Sequence, residues 1–236
     1  GIIVGGLCGL INGLLVSRLG LPSIVVTIAT MAVFAGTALA ISGGSSLPAP
    51  PEFVTIGFGK IAGVPLPLII WLVIFAVSLI VLTRTPFGEH LYALGTNARA
   101  VRYAGLRDRR LTASAFVISG VMSGVAGLVF TATASSAKSN FGQGYELAVV
   151  TIVVVGGAAL TGGSGTLWGT LLATVVIALV RNGLSIGFVP SEVQTMVTGA
   201  ALIVTAILYQ WAPGLVARLR SKRTSPLTPA ALPGAH

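Results

Sequence analysis

The stretch VPLPLIIWLVIFAVSLIVL, from Val64 to Leu82, decides the fold class of this chain. It contains no charged side chain. Its length is close to the roughly 20 apolar residues that an α-helix needs to cross the hydrocarbon core of a bilayer. The stretch therefore predicts a transmembrane helix.

The composition of the whole chain agrees with this prediction. Of its 236 residues, 54% are hydrophobic and 8% are charged, whereas soluble domains carry about 25% charged residues. The net charge of +9 would suggest nucleic acid binding in a soluble domain. Here the basic residues lie between apolar stretches, so we expect a bilayer and no nucleic acid partner.

Further apolar stretches predict an all-α, polytopic membrane protein with about seven transmembrane helices. The fifth stretch is only about 14 residues long, so it could be a full span, a half-span or a re-entrant element. We expect residues 1–212 to form the membrane domain and residues 213–236 to be a basic, disordered cytoplasmic tail. The predicted spans are Ile2–Val16, Ile24–Ile41, Val64–Leu82, Leu111–Ala134, Leu147–Leu160, Leu167–Val180 and Val193–Trp211.

The basic residues predict the orientation of the spans. If the segment Thr83–Arg110 is cytoplasmic, alternating crossings place Arg18 and the tail on the same side, while Lys60, Lys138 and Arg181 fall outside. Cytoplasmic loops carry an excess of Lys and Arg, so this arrangement is the expected one.

Small residues four positions apart predict close packing between helices, because they let two backbones approach each other in lipid. This spacing is found at Gly5, Gly9 and Gly13, and in the pairs Gly120 and Gly124, Gly165 and Gly169, and Gly183 and Gly187.

We find no pattern that predicts catalysis. The spans contain no Ser/His pair and no pair of carboxylates, which a nucleophile with its base would require. The stretch GAALTGGS, Gly157 to Ser164, matches a phosphate-binding loop except that Gly163 replaces the lysine. We therefore expect neither an enzyme nor a cofactor or metal on this chain.

The acidic residues lie in loops or near span ends, whereas ion-coupled carriers commonly place ionisable side chains at membrane depth. The energy source for transport is therefore expected on another chain. Neutral polar groups within the spans could line a path for an uncharged polyol, although Ser and Thr in membrane helices often bond their own backbone. The candidates are Asn12, Thr27, Thr30, Thr151 and Asn182.

The segment TNARAVRYAGLRDRR, Thr96 to Arg110, predicts a short capped helix. Asn97 is a good N-cap and Gly105 a good residue for the position after the C-cap. In a helix, Leu94, Ala98, Val101 and Gly105 would share one face. Such a helix could fit a groove on a partner protein or lie against anionic lipid, and the residues alone leave both open.

The chain resembles the membrane permeases of bacterial sugar ABC importers, the branch that includes the ribose, xylose, rhamnose and autoinducer-furanose systems. Four motifs carry the resemblance: INGLLVSRLGLPSIVVTIATM (Ile11 to Met31), TPFGEHLYALGTNARAVRYAGL (Thr85 to Leu106), GYELAVVTIVVVGGAALTGGSGTLWGT (Gly144 to Thr170) and RNGLS (Arg181 to Ser185).

The resemblance implies that the second motif, within the loop 84–110, is a cytoplasmic coupling helix that docks on an ATP-hydrolysing subunit. The docking residues would be Asn97, Ala98, Arg99, Arg102, Gly105 and Leu106. It also implies a bacterial inner-membrane protein with a cytoplasmic C-terminus and a second permease copy, identical or not. ATP and magnesium would be bound by the ATPase subunits. A periplasmic or lipid-anchored sugar-binding protein would contact the loops Pro48–Lys60 and Lys138–Glu146.

The chain also departs from the family pattern. Ala35 precedes Gly36 where the family often has arginine, and Val101 stands where alanine is common. The second difference implies a slightly altered docking surface. Family members are longer at the N-terminus, so we expect this sequence to lack their first helices.

Two alternatives from other functional classes remain at this point. An ATP-independent secondary carrier or facilitator would move sugar without a partner ATPase. A non-transporting membrane scaffold would bind neither an ATPase nor a sugar-binding protein.

Overall fold

A computed structural model describes residues 1–159 and 162–221, with side chains described as far as residue 205 and at residue 207. Over these residues the chain forms ten α-helices and two pairs of very short strands. The helices are α1 Ile2–Leu19, α2 Ser23–Ser42, α3 Pro51–Phe58, α4 Leu66–Arg84, α5 Pro86–Thr96, α6 Ala98–Tyr103, α7 Asp108–Ala134, α8 Tyr145–Val155, α9 Leu167–Ile186 and α10 Ser191–Ser221. The strands are β1 Leu47–Pro48, β2 Lys60–Ile61, β3 Val64–Pro65 and β4 Ser136–Ala137, with β1 antiparallel to β4 and β2 antiparallel to β3.

The chain divides into two compact units. The first comprises residues 1–143 together with 159–167, and the second comprises residues 144–158 together with the chain from Trp168 onward. In the second unit, α8 packs against α10.

The central contact of the first unit joins α1 to α7 through glycines. A Cβ atom on Gly5 would overlap the carbonyl oxygen of Gly120 and lie 3.0 Å from the Cα of Gly124. A Cβ on Gly9 would overlap the carbonyl oxygen of Phe116 in the same way. The packing predicted for these glycines is confirmed, because only a hydrogen at Cα leaves room for the facing backbone.

The other two glycine pairs do not each form one packed helix face. Gly169 does lie close to another backbone, since a Cβ on Gly156 would be 2.9 Å from its carbonyl carbon. A Cβ on Gly183 would meet no atom within 4 Å. Gly165 lies before the start of α9 at Leu167, so Gly165 and Gly169 do not share a helix face. Spacing alone could not distinguish these pairs from the α1 and α7 glycines, because it does not show which helix lies opposite.

The glycine contacts also fix the direction of α1. Its residues meet α7 in reverse order, from Gly124 opposite Gly5 to Ala113 opposite Gly13, so the two helices are antiparallel. Arg18, in the last turn of α1, therefore lies at the end of the unit where α7 begins. We call this the basic end, because the arginine-rich segment precedes α7 there. The predicted placement of Arg18 beside this segment is confirmed.

The opposite end of the first unit is where α7 finishes. A Cβ on Gly57 of α3 would overlap the carbonyl of Ala132, and β1 pairs with β4 directly after α7. The ring of Phe141 packs edge-on against Phe130 with centroids 5.0 Å apart. Residues 138–143 thus remain near the end of α7.

Five helices within the described ranges are long and apolar enough to cross a membrane: α1, α2, α4, α7 and α9. None of the residues of α4 is buried, although this helix is almost entirely apolar. Apolar side chains that point outward are stable in lipid and unfavourable in water. The chain is therefore a multi-pass α-helical membrane protein, as predicted, while the count of seven spans stays a prediction.

The last helix, α10, continues to Ser221 and so passes the predicted end of the membrane domain at residue 212. The rest of the predicted tail, residues 222–236, lies outside the described residues.

The predicted fifth span is not a long helix. α8 has 11 residues, which at about 1.5 Å per residue gives roughly half the thickness of a bilayer core. The chain nevertheless returns between residues 143 and 159 from the opposite end of the first unit to its basic end, because Gly163 packs there against Gly95. A re-entrant loop would return to the side it left, so we expect a complete crossing here, which stays a prediction.

Candidate coupling segment and polar cleft

The arginine-rich segment is the stretch Thr96–Arg110. Two helices meet in it at Asn97, because α5 ends at Thr96 and α6 begins at Ala98. The backbone of Asn97 is extended, with φ −155° and ψ 92°, and its side-chain oxygen accepts hydrogen bonds from the N–H groups of Arg99 and Ala100, both at 3.0 Å. The predicted N-cap is confirmed. It satisfies two of the backbone donors that a helix start leaves without an intrahelical partner.

The other end of α6 is closed by Gly105, whose φ is +78°. The N–H of Gly105 donates to the carbonyl of Arg102 at 3.1 Å, and the N–H of Leu106 donates to the carbonyl of Val101 at 3.2 Å. These two bonds form a Schellman motif, which the predicted glycine makes possible because it has no Cβ to clash in this conformation. A helix of six residues is thus capped at both ends.

The predicted apolar face of this helix is wrong. Leu94 belongs to α5, and the extended backbone at Asn97 separates it from α6. Ala98 and Gly105 are exposed, whereas Val101 is only 4% exposed and faces the protein. Val101 is therefore not part of the exposed surface of α6, and the expected effect of its difference from the family on docking stays a prediction.

The two arginines of α6 differ in their surroundings. Arg102 forms an ion pair with Asp108 at the start of α7, with Nη2 2.8 Å and Nε 3.0 Å from Oδ2. Arg99 is exposed, and Tyr103 is 91% exposed. The sequence reasoning did not include Tyr103 among its candidates, although a tyrosine between small residues and arginines was a usable signal.

Gly162 and Gly163, in the stretch that resembled a phosphate-binding loop, lie against the end of α5. A Cβ on Gly95 would overlap the backbone nitrogen of Gly163. The hydroxyl of Tyr92 donates to the carbonyl of Gly165 at 3.1 Å, and that of Thr96 lies 3.4 Å from the carbonyl of Gly163. Gly163 and Gly165 are thus in contact with residues of α5.

A cleft of about 590 Å³ lies between α1, α2 and α7 in the first unit, and its mostly apolar lining includes a few polar side chains. Of the five polar residues predicted for a substrate path, Asn12 and Thr27 line it. The side-chain oxygen of Asn12 is buried without a hydrogen-bond partner. Three hydroxyl residues of α7 also line it: Ser119, Ser123 and Thr131.

The remaining predicted residues are not brought to this cleft. The Thr30 hydroxyl donates to the carbonyl of Val26 at 2.9 Å, and that of the fully buried Thr151 donates to Leu147 at 2.7 Å. Asn182 is an exposed residue of α9. Both threonines therefore follow the structural alternative, in which a hydroxyl bonds its own helix. The Thr27 hydroxyl does the same, since it donates to the carbonyl of Ser23 at 2.9 Å.

Comparison with known proteins matches residues 1–206 to the family described as the permease component of the branched-chain amino acid transport system. The chain belongs to this permease family.

Relatives of this permease include import proteins from bacteria. It is 30% identical to the autoinducer 2 import system permease protein LsrD of Yersinia pseudotuberculosis strain YPIII, over 95% of this chain and 71% of that protein. It is 33% identical to the ribose import permease protein RbsC of Haemophilus influenzae, over 88% of this chain and 65% of that protein. No solved structure matches the permease at a significant level.

The part of the permease that matches the family contains both regions described above. The coupling segment and the polar cleft lie wholly within residues 1–206.

Proposed function

We propose that this permease is the membrane subunit of an ATP-driven ABC importer for a monosaccharide or similar small polyol. The observation that carries the proposal is α6, a short helix capped at both ends that presents Arg99 and Tyr103 at the basic end. The names of the relatives, which refer to autoinducer 2 import and ribose import, support a sugar or polyol as the cargo.

The surface of α6 favours a protein partner over lipid. A helix that lies in a membrane interface inserts a large apolar face. In α6, Val101 faces inward, and Tyr103 is a single exposed aromatic side chain beside two arginines. Six residues form a helix in isolation only with difficulty, so the two caps give α6 a fixed shape before it meets a partner. A preformed helix loses less conformational entropy on docking.

We infer that the partner at the basic end is an ATP-binding cassette subunit, which would hold the ATP and magnesium. The docking residues would be Asn97, Ala98, Arg99, Arg102, Gly105 and Leu106, with Tyr103 added. The basic end would face the cytoplasm of a bacterial inner membrane, together with the C-terminus.

At the opposite end, a periplasmic or lipid-anchored sugar-binding protein would contact the loops Pro48–Lys60 and Lys138–Glu146. The sugar would then pass a polar path completed by a second permease copy, identical or not. Asn12 and Thr27 are the proposed path residues in this chain, and their shared position in the lining of the cleft supports that role.

The experiment compares Arg99→Ala and Tyr103→Ala with the control Arg109→Ala, which removes one exposed arginine at the same end but outside α6. Permease and ATPase subunits are co-expressed, and both ATPase co-purification and ATP-dependent sugar uptake are measured. We expect the α6 variants to lose ATPase association and uptake, while the control retains both.

Three results would contradict the proposal. Uptake that proceeds without ATP or an ATPase subunit would favour the secondary carrier. A wild-type permease that binds no ATPase and no sugar-binding protein would favour the scaffold. Full ATPase association in both α6 variants would show that α6 is not the docking element.

A further inference from the structure

The segment 159–167 has an unusual place in the chain. It belongs to the first unit, whereas the residues on both sides of it, 144–158 and those from Trp168 onward, belong to the second. The chain therefore passes between the units at both ends of this segment. A contact that fixes the position of this segment therefore also fixes the points at which the chain continues to α8 and α9.

Backbone contacts hold the described part of this segment against the end of α5. A Cβ on Gly163 would lie 2.5 Å from the Thr96 nitrogen and 2.7 Å from the carbonyl carbon of Gly95. Gly162 and Gly163 have φ of +87° and +78°, a conformation that side chains other than glycine rarely adopt. No flexible side chain separates the two backbones, so the contact is stiff.

Two hydroxyl groups of α5 add directional bonds to this contact. The Tyr92 hydroxyl donates to the carbonyl of Gly165 at 3.1 Å, across 73 positions of sequence. The Thr96 hydroxyl is shared between the carbonyl of Tyr92 at 2.9 Å and that of Gly163 at 3.4 Å. We call Gly162–Gly165, with Tyr92, Gly95 and Thr96, the glycine latch.

The latch lies directly beside the proposed coupling helix. Thr96 is the last residue of α5, Asn97 caps α6, and α6 begins at Ala98. On the other side, Gly165 lies two positions before the first residue of α9, Leu167. Only a few covalent bonds therefore separate the latch from the proposed docking surface and from a membrane-spanning helix.

We propose that the glycine latch transmits the displacement of α6 on ATP binding to α8 and α9. This inference rests on the proposed function, because it needs an ATPase that moves α6. When α6 is displaced, the end of α5 moves with it, and the latch carries residues 162–165 along. Besides the latch, the described contacts of α5 and α6 with the spans are those of α5 with α4 and α7 and of α6 with α7. Tyr92 and Thr96 are thus positioning residues for transport.

The principal test is Tyr92→Phe, which removes the bond to Gly165 and leaves the ring in place. It is paired with Thr96→Val, with Thr96→Ser as a conservative variant that keeps the hydroxyl. The control is Thr83→Val, because the Thr83 hydroxyl donates only to Leu79 of its own helix, at 2.7 Å. Each permease is reconstituted in liposomes with its ATPase subunits and sugar-binding protein.

Three quantities are measured for each variant: the amount of ATPase bound, the rate of ATP hydrolysis and the sugar imported per ATP hydrolysed. We expect Tyr92→Phe and Thr96→Val to bind ATPase normally and to import about fivefold less sugar per ATP. This factor is what the loss of one hydrogen bond would give, if that bond is needed while α6 is displaced. Thr96→Ser and Thr83→Val should match the wild type.

The outcomes separate this proposal from the proposed function. Unchanged sugar per ATP in both Tyr92→Phe and Thr96→Val would overturn the latch and leave the coupling role of α6 intact. Equal loss of ATPase binding and uptake would also overturn it, since that pattern marks a purely structural contact. Failure of the wild-type permease to bind an ATPase would contradict the proposed function itself.

Discussion

The guanidinium of Arg102 in α6 and the carboxylate of Asp108 in α7 are joined by an ion pair of 2.8 Å. The pair spans the turn closed by Gly105 and ties the proposed docking helix to the first turn of a membrane-spanning helix. The Arg102 side chain is 70% exposed and that of Asp108 is 20% exposed. Solvent therefore screens the attraction, and the pair is expected to orient α6 more than to stabilise the fold.

We predict that Asp108→Asn changes the free energy of unfolding by less than about 1 kcal/mol but weakens ATPase association. Thermal unfolding in detergent and ATPase co-purification are measured for Asp108→Asn, Arg102→Ala and the double variant. The two single effects on association should not add, because both remove the same pair. Additive effects would show that the pair does not orient α6.

Replacement of Asn97 tests the cap of α6. Asn97→Ala should cost about 1 kcal/mol of local helix stability, because the N–H groups of Arg99 and Ala100 lose their acceptor. Faster proteolytic cleavage between α5 and α7 would report this loss. Asn97→Asp keeps a capping oxygen and should resist cleavage like the wild type; equal cleavage of all three proteins would contradict the role of the cap.

Substitution of single glycines by alanine should distinguish glycines that are packed against another helix from glycines that are not. Gly9→Ala places a Cβ against the carbonyl of Phe116 and should destabilise the α1 and α7 pair by about 1 to 3 kcal/mol. Gly36→Ala places its Cβ where no atom lies within 4 Å, so it should be neutral or slightly stabilising. The midpoints of thermal unfolding in detergent make the comparison, and similar shifts for both variants would contradict the antiparallel contact.

The cleft predicts a specific effect of Asn12. Asn12→Leu removes a buried oxygen without a partner and should leave the thermal midpoint unchanged or higher, while sugar uptake falls. The control is Ser114→Ala, since the Ser114 hydroxyl donates to Leu111 in its own helix. Uptake by Asn12→Leu equal to that of the control would exclude this residue from the sugar path.

Labelling of single cysteines tests the complete crossing between residues 143 and 159. In a Cys8→Ala background, Ser164→Cys and Arg110→Cys should be accessible from the same side of the membrane. Lys138→Cys should be accessible from the other side. Labelling of Ser164→Cys from the Lys138 side would show that residues 144–158 do not cross.

The sequence correctly predicted features that depend on bonds between neighbouring residues or on the instability of apolar stretches in water. The Asn97 cap and the turn at Gly105 depend on bonds between residues two to five positions apart, so the residue types alone predicted them. The burial of Val101 and the broken apolar face were mispredicted, because the helix was extended back through Asn97 to Leu94. Periodicity treats adjacent residues as one helix unless a break is recognised.

The sequence by itself determined that the chain lies in a membrane, because its apolar stretches have no stable place in water, and that Arg18 accompanies the arginine-rich segment. Only the tertiary structure decided which glycines pack, which polar groups share the cleft, and that Gly163 and Gly165 meet the end of α5. Those contacts join residues that are far apart in the chain, such as Gly5 and Gly120 or Tyr92 and Gly165. The physical reason is that spacing along one helix shows which side chains share a face, but it does not show what lies opposite that face.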